Sequence, residues 1–80
     1  MKKELKLYYF PQCPFCQIVL NAIDQYKVEV SLNNIRLNED HFKELIEVTN
    51  RQTVPCLFID GVPMHESGDI ISWIEENYSK

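Results

Sequence analysis

The spacing of the apolar residues limits this chain to one order of strands and helices. Residues 5–10 are rich in leucine, tyrosine and phenylalanine and end at Pro11, which predicts a short buried strand. Apolar residues then recur at helical spacing as far as Tyr26, which predicts an amphipathic helix. The buried stripe predicted for this helix consists of Phe15, Ile18, Val19, Ala22, Ile23 and Tyr26.

A second strand and a second helix follow the first pair. Apolar residues alternate in the stretch 28–37, which places a strand there without fixing its ends. Asn38 or Asp40 then caps a helix, because a side-chain oxygen at this position accepts a hydrogen bond from the first turn. Two strands connected through a helix pair in parallel. The buried face predicted for the second helix is Phe42, Leu45 and Ile46.

The end of the chain predicts a hairpin and a last helix. Residues 56–59 and 62–64 form two short strands, and the Asp60-Gly61 pair between them is typical of a hairpin turn. Ser67 is predicted to cap the last helix. The inward face of that helix is Ile70, Ile71, Ile74 and Tyr78. A parallel crossover followed by an antiparallel hairpin predicts an α/β fold with a four-stranded mixed sheet flanked by three helices.

The composition is that of a small globular domain and excludes two classes of partner. The chain has 80 residues, and 45% of them are apolar, which suits a single domain with its own core. A net charge of −4, with no basic run longer than Lys2-Lys3, argues against nucleic acid. The apolar stretch 7–11 is too short for a secretion signal or a membrane span. We therefore expect a cytoplasmic protein with no membrane partner, in which the three cysteines form no disulfide framework.

The sequence Cys13-Pro14-Phe15-Cys16 lies where the first strand passes into the first helix. Unpaired N–H groups and the positive end of the helix dipole stabilise an anion there, so we expect Cys13 to carry a thiolate. The dipole alone contributes only ~0.3–2 kcal/mol, which is too little to keep the Cys13 thiol ionised. First-turn N–H groups are therefore expected to hydrogen-bond the Cys13 sulfur directly. Pro14 suits the first helical position. Cys16 follows one turn later, within reach of Cys13, so the pair can open and close a disulfide.

Two other interpretations of the cysteines remain open. A Cys-x-x-Cys pair can provide half of a zinc site, and Cys56 and His65 would then be the remaining ligands. Buried, unreactive cysteines are also common, and Cys56, on a short predicted strand, is expected to be a small core residue. His41 and His65 have no partner at catalytic spacing and are expected on the surface or in turns.

Two motifs resemble those of the glutaredoxins, a family with the thioredoxin-like fold. The four residues 13–16 are similar to the family's Cys-Pro-Tyr-Cys, with phenylalanine in place of tyrosine. Thr53-Val54-Pro55 and the hairpin after it resemble the family's Thr-Val-Pro loop. The resemblance implies a thioredoxin-like fold in which a cis peptide bond precedes Pro55 and Val54 presents its backbone to an extended thiol peptide.

A third motif, Glu66-Ser67, resembles the pair that opens the last helix in the N-terminal domains of glutathione transferases and in some glutaredoxins. The resemblance implies that this pair holds the γ-glutamyl end of glutathione, with the carboxylate on Ser67 and the free helix amides and the amine on Glu66. Arg51 stands where some members keep a basic residue for the other carboxylate. Phe10 and Gln17, in contrast, replace basic residues that many glutaredoxins carry beside the thiols.

The resemblance predicts a glutathione-dependent thiol–disulfide oxidoreductase. In this hypothesis Cys13 takes glutathione from a mixed disulfide, and Cys16 closes an internal disulfide when the product is a protein dithiol. Residues 1–80 are expected to form one monomeric glutaredoxin domain with no metal and no permanently bound cofactor, for which glutathione is the reductant. Its predicted partners are glutathione and glutathionylated or disulfide-containing proteins. The residues predicted to bind glutathione are Arg51, Val54, Pro55, Glu66 and Ser67.

Two other functions are the alternatives. One is a binding module that holds an iron–sulfur cluster or zinc through Cys13, which the stiff loop at Pro14 disfavours. The other is a thioredoxin-type electron carrier that does not use glutathione. The Trp-Cys-Gly-Pro-Cys signature of thioredoxins is absent from the sequence.

Overall fold

Four strands and three helices follow one another in the predicted order. The structure is a computed structural model and describes residues 3–78, so Lys2 of the basic pair lies outside the described residues. The elements are β1 (Leu5–Tyr9), α1 (Pro14–Tyr26), β2 (Ser31–Asn34), α2 (Glu39–Thr49), β3 (Cys56–Ile59), β4 (Val62–Met64) and α3 (Ser67–Tyr78).

The strands form one mixed sheet in the order β2-β1-β3-β4. β1 pairs in parallel with β2 and antiparallel with β3, and β3 pairs antiparallel with β4, where Pro63 stands opposite Phe58. The four-stranded mixed sheet with three helices confirms the predicted fold class. Because β1 is an inner strand, the loop that follows it, which carries Cys13, opens between the ends of β2 and β3.

Alternate side chains of β1 enter cores on the two faces of the sheet. Leu5 and Leu7 belong to a cluster with residues of α1 and α3, whereas Tyr8 belongs to a second cluster beneath α2 that includes the fully buried Leu45. Each fully buried leucine of this kind stabilises the fold by about 1.5–3 kcal/mol. The hydroxyl of Tyr8 also donates a hydrogen bond to the carboxylate of Glu44, which ties α2 to the central strand.

The predicted buried stripe of α1 is wrong at its first two positions. Phe15 is 61% exposed and Ile18 is 46% exposed, whereas Cys16 is fully buried. The buried face of α1 consists of Cys16, Val19, Ala22 and Ile23. The predicted and the observed stripe both have helical spacing, and they share Val19, Ala22 and Ile23. Only the packing of the helix on the sheet decides which of the two stripes is buried.

The second strand lies inside the predicted stretch, but not where the apolar alternation is clearest. It comprises Ser31–Asn34, in which Asn33 is the buried residue and Leu32 is half exposed. Leu37, which continued the alternation, is 85% exposed. The backbone N–H of Asp40 donates to the side chain of Asn38 at 2.9 Å, which confirms Asn38 as the cap of α2. On α2 only Leu45 is fully buried, and the predicted Phe42 and Ile46 are partly buried.

The hairpin and the last helix agree with the prediction except at one cap. Asp60 and Gly61 have φ angles of 51° and 86°, the left-handed backbone that a two-residue hairpin turn of this type requires. The N–H of Ile70 donates to the carbonyl of Glu66 at 2.9 Å, so Glu66 is the residue that precedes α3 and Ser67 is its first residue. No helix within residues 3–78 is long and apolar enough to cross a membrane.

Candidate functional site

The loop between β1 and α1 holds Cys13 at the start of the helix. Cys13 is the N-cap residue, with extended backbone angles of φ −83° and ψ 121°, and Pro14 is the first helical residue as predicted. The N–H of Cys13 donates to the carbonyl of Phe10 at 3.2 Å, and its own carbonyl accepts from the N–H of Gln17 at 3.0 Å. The side chain of Gln17 closes the loop by donating to the carbonyl of Pro11 at 2.6 Å. These hydrogen bonds fix the thiol-bearing loop at the end of β1.

The two thiols of this loop have different surroundings. Cys13 is partly exposed, and Cys16 is fully buried. Burial raises the pKa of Cys16 to about 12; a backbone hydrogen bond from Phe10 opposes this rise, whereas the hydrogen bond and the charge of Cys13 add to it. Cys16 is therefore a protonated thiol at neutral pH, hydrogen-bonded to the sulfur of Cys13. No disulfide bond joins the two sulfurs in this structure.

One expectation for Cys13 is wrong. First-turn N–H groups were expected to hydrogen-bond its sulfur, but the side chain of Cys13 makes no capping hydrogen bond. Pro14, at the first helical position, has no N–H to offer. The sulfur of Cys13 instead has the thiol of Cys16 as its hydrogen-bonding partner. The N–H groups of the first turn of α1 therefore do not hold the Cys13 sulfur directly.

The five residues predicted to bind glutathione meet in one cavity. This open cleft has a volume of about 220 Å³. Its lining is Phe15, Arg51, Thr53, Val54, Pro55, His65, Glu66 and Ser67. The peptide bond between Val54 and Pro55 is cis, as the resemblance implied. Cys13 and Cys16 are not among the lining residues, and Phe15, which stands between them in the sequence, connects the thiol loop to the cavity.

The cavity contains charges of both signs that are free to bind a ligand. In the described part of the chain, neither Arg51 nor Glu66 forms an ion pair with another residue. Glu66 is exposed and Ser67 begins α3, so a carboxylate acceptor stands beside the free N–H groups of a helix start. A ligand with an amine and a carboxylate at one end and a second carboxylate at the other complements this arrangement.

Three lining residues were not assigned to the site from the sequence. Phe15 and Thr53 lie within the two motifs that resemble those of glutaredoxins. Their position next to assigned residues was the sequence feature that could have indicated their place in the cavity wall. His65 was expected on the surface or in a turn; it does lie between β4 and α3, but it is partly buried in the cavity wall. Its Nδ1 atom is buried and has no hydrogen-bond partner among the residues described.

Cys56 is a core residue, as predicted. It is fully buried on β3 opposite Tyr8, and burial raises the pKa of its thiol to about 11 although the backbone of Met64 and the charge of Arg51 oppose this. Within residues 3–78 no three histidine, cysteine or acidic side chains lie close enough to hold a metal ion. The ligand set that a zinc site would need, the two loop cysteines with Cys56 and His65, is therefore not assembled.

Comparisons with known proteins identify a matching family and similar structures. Residues 7–80 match the family model of the glutathione S-transferase N-terminal domain. The structure is similar to that of Leishmania TDR1, a trimeric glutathione transferase, with 28% identity and a TM-score of 0.78 over 94% of this chain and 17% of that one. It is similar to a delta-class glutathione transferase of Nilaparvata lugens, with 28% identity and a TM-score of 0.80 over 95% of this chain and 37% of that one.

A thioredoxin-like protein, BC3987, shares the same fold. It is 19% identical, with a TM-score of 0.79 and coverage of 91% of both chains. No curated protein matches the sequence of this chain. The chain thus spans 17% and 37% of the length of the two transferases but nearly all of the thioredoxin-like protein. The chain has the thioredoxin-like fold and belongs to the family of glutathione S-transferase N-terminal domains.

Proposed function

We propose that this domain catalyses glutathione-dependent thiol–disulfide exchange, with Cys13 as the nucleophile and Cys16 as the second thiol. The observation that carries the proposal is the single cavity that gathers Arg51, Glu66 and Ser67 beside the thiol loop. Membership of a glutathione-binding family supports the choice of ligand. The pair of thiols, one partly exposed and one buried, supports the choice of chemistry.

In the proposed complex, the charges of the cavity set the orientation of glutathione. Its γ-glutamyl carboxylate binds Ser67 and the free N–H groups at the start of α3, and its amine binds the carboxylate of Glu66. Its glycyl carboxylate binds the guanidinium of Arg51. The backbone of Val54, ahead of Pro55, pairs with the cysteinyl residue in the middle of the tripeptide.

The reaction on a glutathionylated protein takes two exchanges. The thiolate of Cys13 attacks the glutathione sulfur of the mixed disulfide, so the sulfur–sulfur bond to the protein breaks and the protein leaves as a thiolate that takes up a proton. A second glutathione thiolate then attacks the glutathione sulfur bound to Cys13, which releases glutathione disulfide and regenerates Cys13. In the net reaction the mixed disulfide and one glutathione give the protein thiol and glutathione disulfide, so the entering glutathione is the reductant.

Cys16 acts when the substrate is a protein disulfide. Cys13 first forms a mixed disulfide with the protein, and this step removes the charge and the hydrogen bond through which Cys13 raises the pKa of Cys16. The Cys16 thiolate then attacks the Cys13 sulfur, the second protein thiol leaves, and an internal disulfide forms. Two glutathione molecules reduce that disulfide and leave as glutathione disulfide.

The roles of the two cysteines are tested by single substitutions. We expect Cys13→Ser to abolish reduction of a glutathionylated peptide and Cys16→Ser to retain it, because only Cys13 takes part in both exchanges. Turnover is measured with glutathione and glutathione reductase, and mass spectrometry after exposure to glutathione disulfide identifies the cysteine that carries the adduct. Equal loss of activity in both variants would contradict the roles assigned.

The cavity is tested with a matched pair of carboxylate variants. Glu66→Gln removes the partner of the glutathione amine and should raise the KM for glutathione about 10- to 150-fold, since a hydrogen bond to a charged group contributes ~1.5–3 kcal/mol. Glu76→Gln makes the same charge change at an exposed position near the other end of α3 and should leave KM unchanged. An equal effect of both substitutions would show that Glu66 does not touch glutathione.

The alternatives give different results in the same preparation. An iron–sulfur cluster gives a visible absorption band, and bound zinc is measured by metal analysis of freshly purified protein. A thioredoxin-type carrier accepts electrons from thioredoxin reductase and not from glutathione. Conjugation of glutathione to an electrophile, without reduction of disulfides, would support a transferase and contradict the proposal.

A further inference from the structure

Arg36 lies beside the thiol loop, on the side away from the cavity. The N–H of Ile35 donates to the carbonyl of Tyr9 at 2.9 Å, so the backbone just before Arg36 still runs beside the end of β1. Arg36 comes after β2, which lies on one side of β1 in the sheet order β2-β1-β3-β4. The cavity residues Arg51 and Glu66 precede β3 and follow β4, on the other side. The thiol loop lies between the two arginines.

The guanidinium of Arg36 stacks on the ring of Phe10. Its Cζ atom is 4.0 Å from the ring centroid. Phe10 is itself bound to both thiol residues, through its carbonyl to the N–H of Cys13 and through its backbone to the thiol of Cys16. Stacking occupies a face of the guanidinium and leaves the N–H groups along its edge available for a carboxylate. The ring thus holds a cation, with its donors free, beside the loop that carries the two thiols.

Among residues 3–78, no acidic side chain forms an ion pair with this cation. The side chain of Arg36 is exposed, and its guanidinium forms no ion pair in the part of the chain that the structure describes. Glu39 and Asp40 come shortly after it in the first turn of α2, but neither is paired with it. Leu37, the next residue, is 85% exposed. A cation and an apolar side chain are therefore presented together on this side of the thiols.

We propose that Arg36 is a specificity-determining residue that binds an acidic side chain of the polypeptide substrate, close to the cysteine that carries glutathione. The inference rests on the proposed function, because glutathione in the cavity leaves the other side of the thiol loop open to the polypeptide half of the mixed disulfide. That half then contacts Arg36 and Leu37. The favoured substrates are glutathionylated polypeptides with glutamate or aspartate next to the modified cysteine.

The proposal is tested with two glutathionylated peptides that differ only at the residues flanking cysteine, glutamate in one and glutamine in the other. We expect kcat/KM to be about two- to fivefold higher for the acidic peptide at low ionic strength, the range of an exposed ion pair, and the preference to decline with added salt. Arg36→Gln should remove the preference, and Arg36→Lys should keep most of it.

Lys27→Gln is the matched control. Lys27 is exposed and follows the last residue of α1, so it lies about 20 Å from the thiol end of that helix, which is too far for an ion pair and about twice the ~10 Å screening length at 0.1 M ionic strength. We expect this variant to keep the full preference for the acidic peptide. The proposal is overturned if Arg36→Gln keeps the preference for the acidic peptide, or if Lys27→Gln loses it to the same extent. Turnover of both peptides would still uphold the proposed function. If the unsubstituted protein reduces neither peptide, the proposed function fails and the inference fails with it.

Discussion

The two thiols of the Cys-Pro-Phe-Cys loop should react with an alkylating reagent at very different rates. A pKa of about 12 for Cys16, in place of the ordinary 9.0, lowers its thiolate fraction near neutral pH about a thousandfold, because each increase of one in the pKa lowers that fraction tenfold. A Brønsted slope of ~0.4–0.5 makes that rarer thiolate about 15- to 30-fold more nucleophilic. The net expectation is a rate about 30- to 60-fold below that of an ordinary cysteine, before the shielding of a fully buried side chain is counted.

The assay follows iodoacetamide labelling by mass spectrometry, with fragment ions that separate Cys13 from Cys16. The reference is the same protein in guanidinium chloride, where the thiols are equally exposed and should react alike. In Cys13→Ser the neighbouring thiol is lost but burial, the largest cause of the raised pKa, remains, so labelling of Cys16 should stay slow. Labelling of Cys16 in the folded protein within threefold of its rate in guanidinium would refute the reasoning.

Three further outcomes concern the stability of the fold. Burial raises the pKa of Cys16 to about 12 and that of Cys56 to about 11, so the stability that the neutral thiols provide is fully present below pH 9 and is lost as the pH rises through these values. The free energy of unfolding should fall by about 4 kcal/mol through Cys16 and by about 3 kcal/mol through Cys56, and a flat profile of thermal unfolding against pH contradicts this. Tyr8→Phe removes the hydrogen bond to Glu44 and should cost about 1–3 kcal/mol in a denaturant titration, whereas Tyr9→Phe is the control expected to change little. Asn38→Ala removes the cap of α2 and should cost about 0.5–2 kcal/mol, and an unchanged denaturation midpoint would show that the cap adds no stability.

The order of the elements was predictable because each depends on residues close together in the sequence. The Asp60-Gly61 turn and the Asn38 cap are local features, and both were confirmed. The faces of the elements were less predictable, since they depend on what the fold places opposite them. The buried stripe of α1 contains Cys16 and not Phe15, because the face of the helix that carries Cys16 packs on the sheet.

The candidate site could be predicted only through the resemblance to known families. Arg51 and Glu66 are far apart in the sequence, and the hairpin of β3 and β4 between them brings the two into one cavity. No periodicity or spacing in the sequence indicates that they line the same cavity. The stacking of Arg36 on Phe10 was not predicted for the same reason, because it joins the ends of two parallel strands that a helix separates in the sequence.

The position of Pro63 affects how these domains can associate. It is the middle residue of β4, the strand at one edge of the sheet, and proline has no N–H to donate to an added strand. A neighbouring molecule that tried to extend the sheet there would lose a central hydrogen bond of a strand only three residues long. The molecule is thereby protected at this edge against growth into intermolecular sheets.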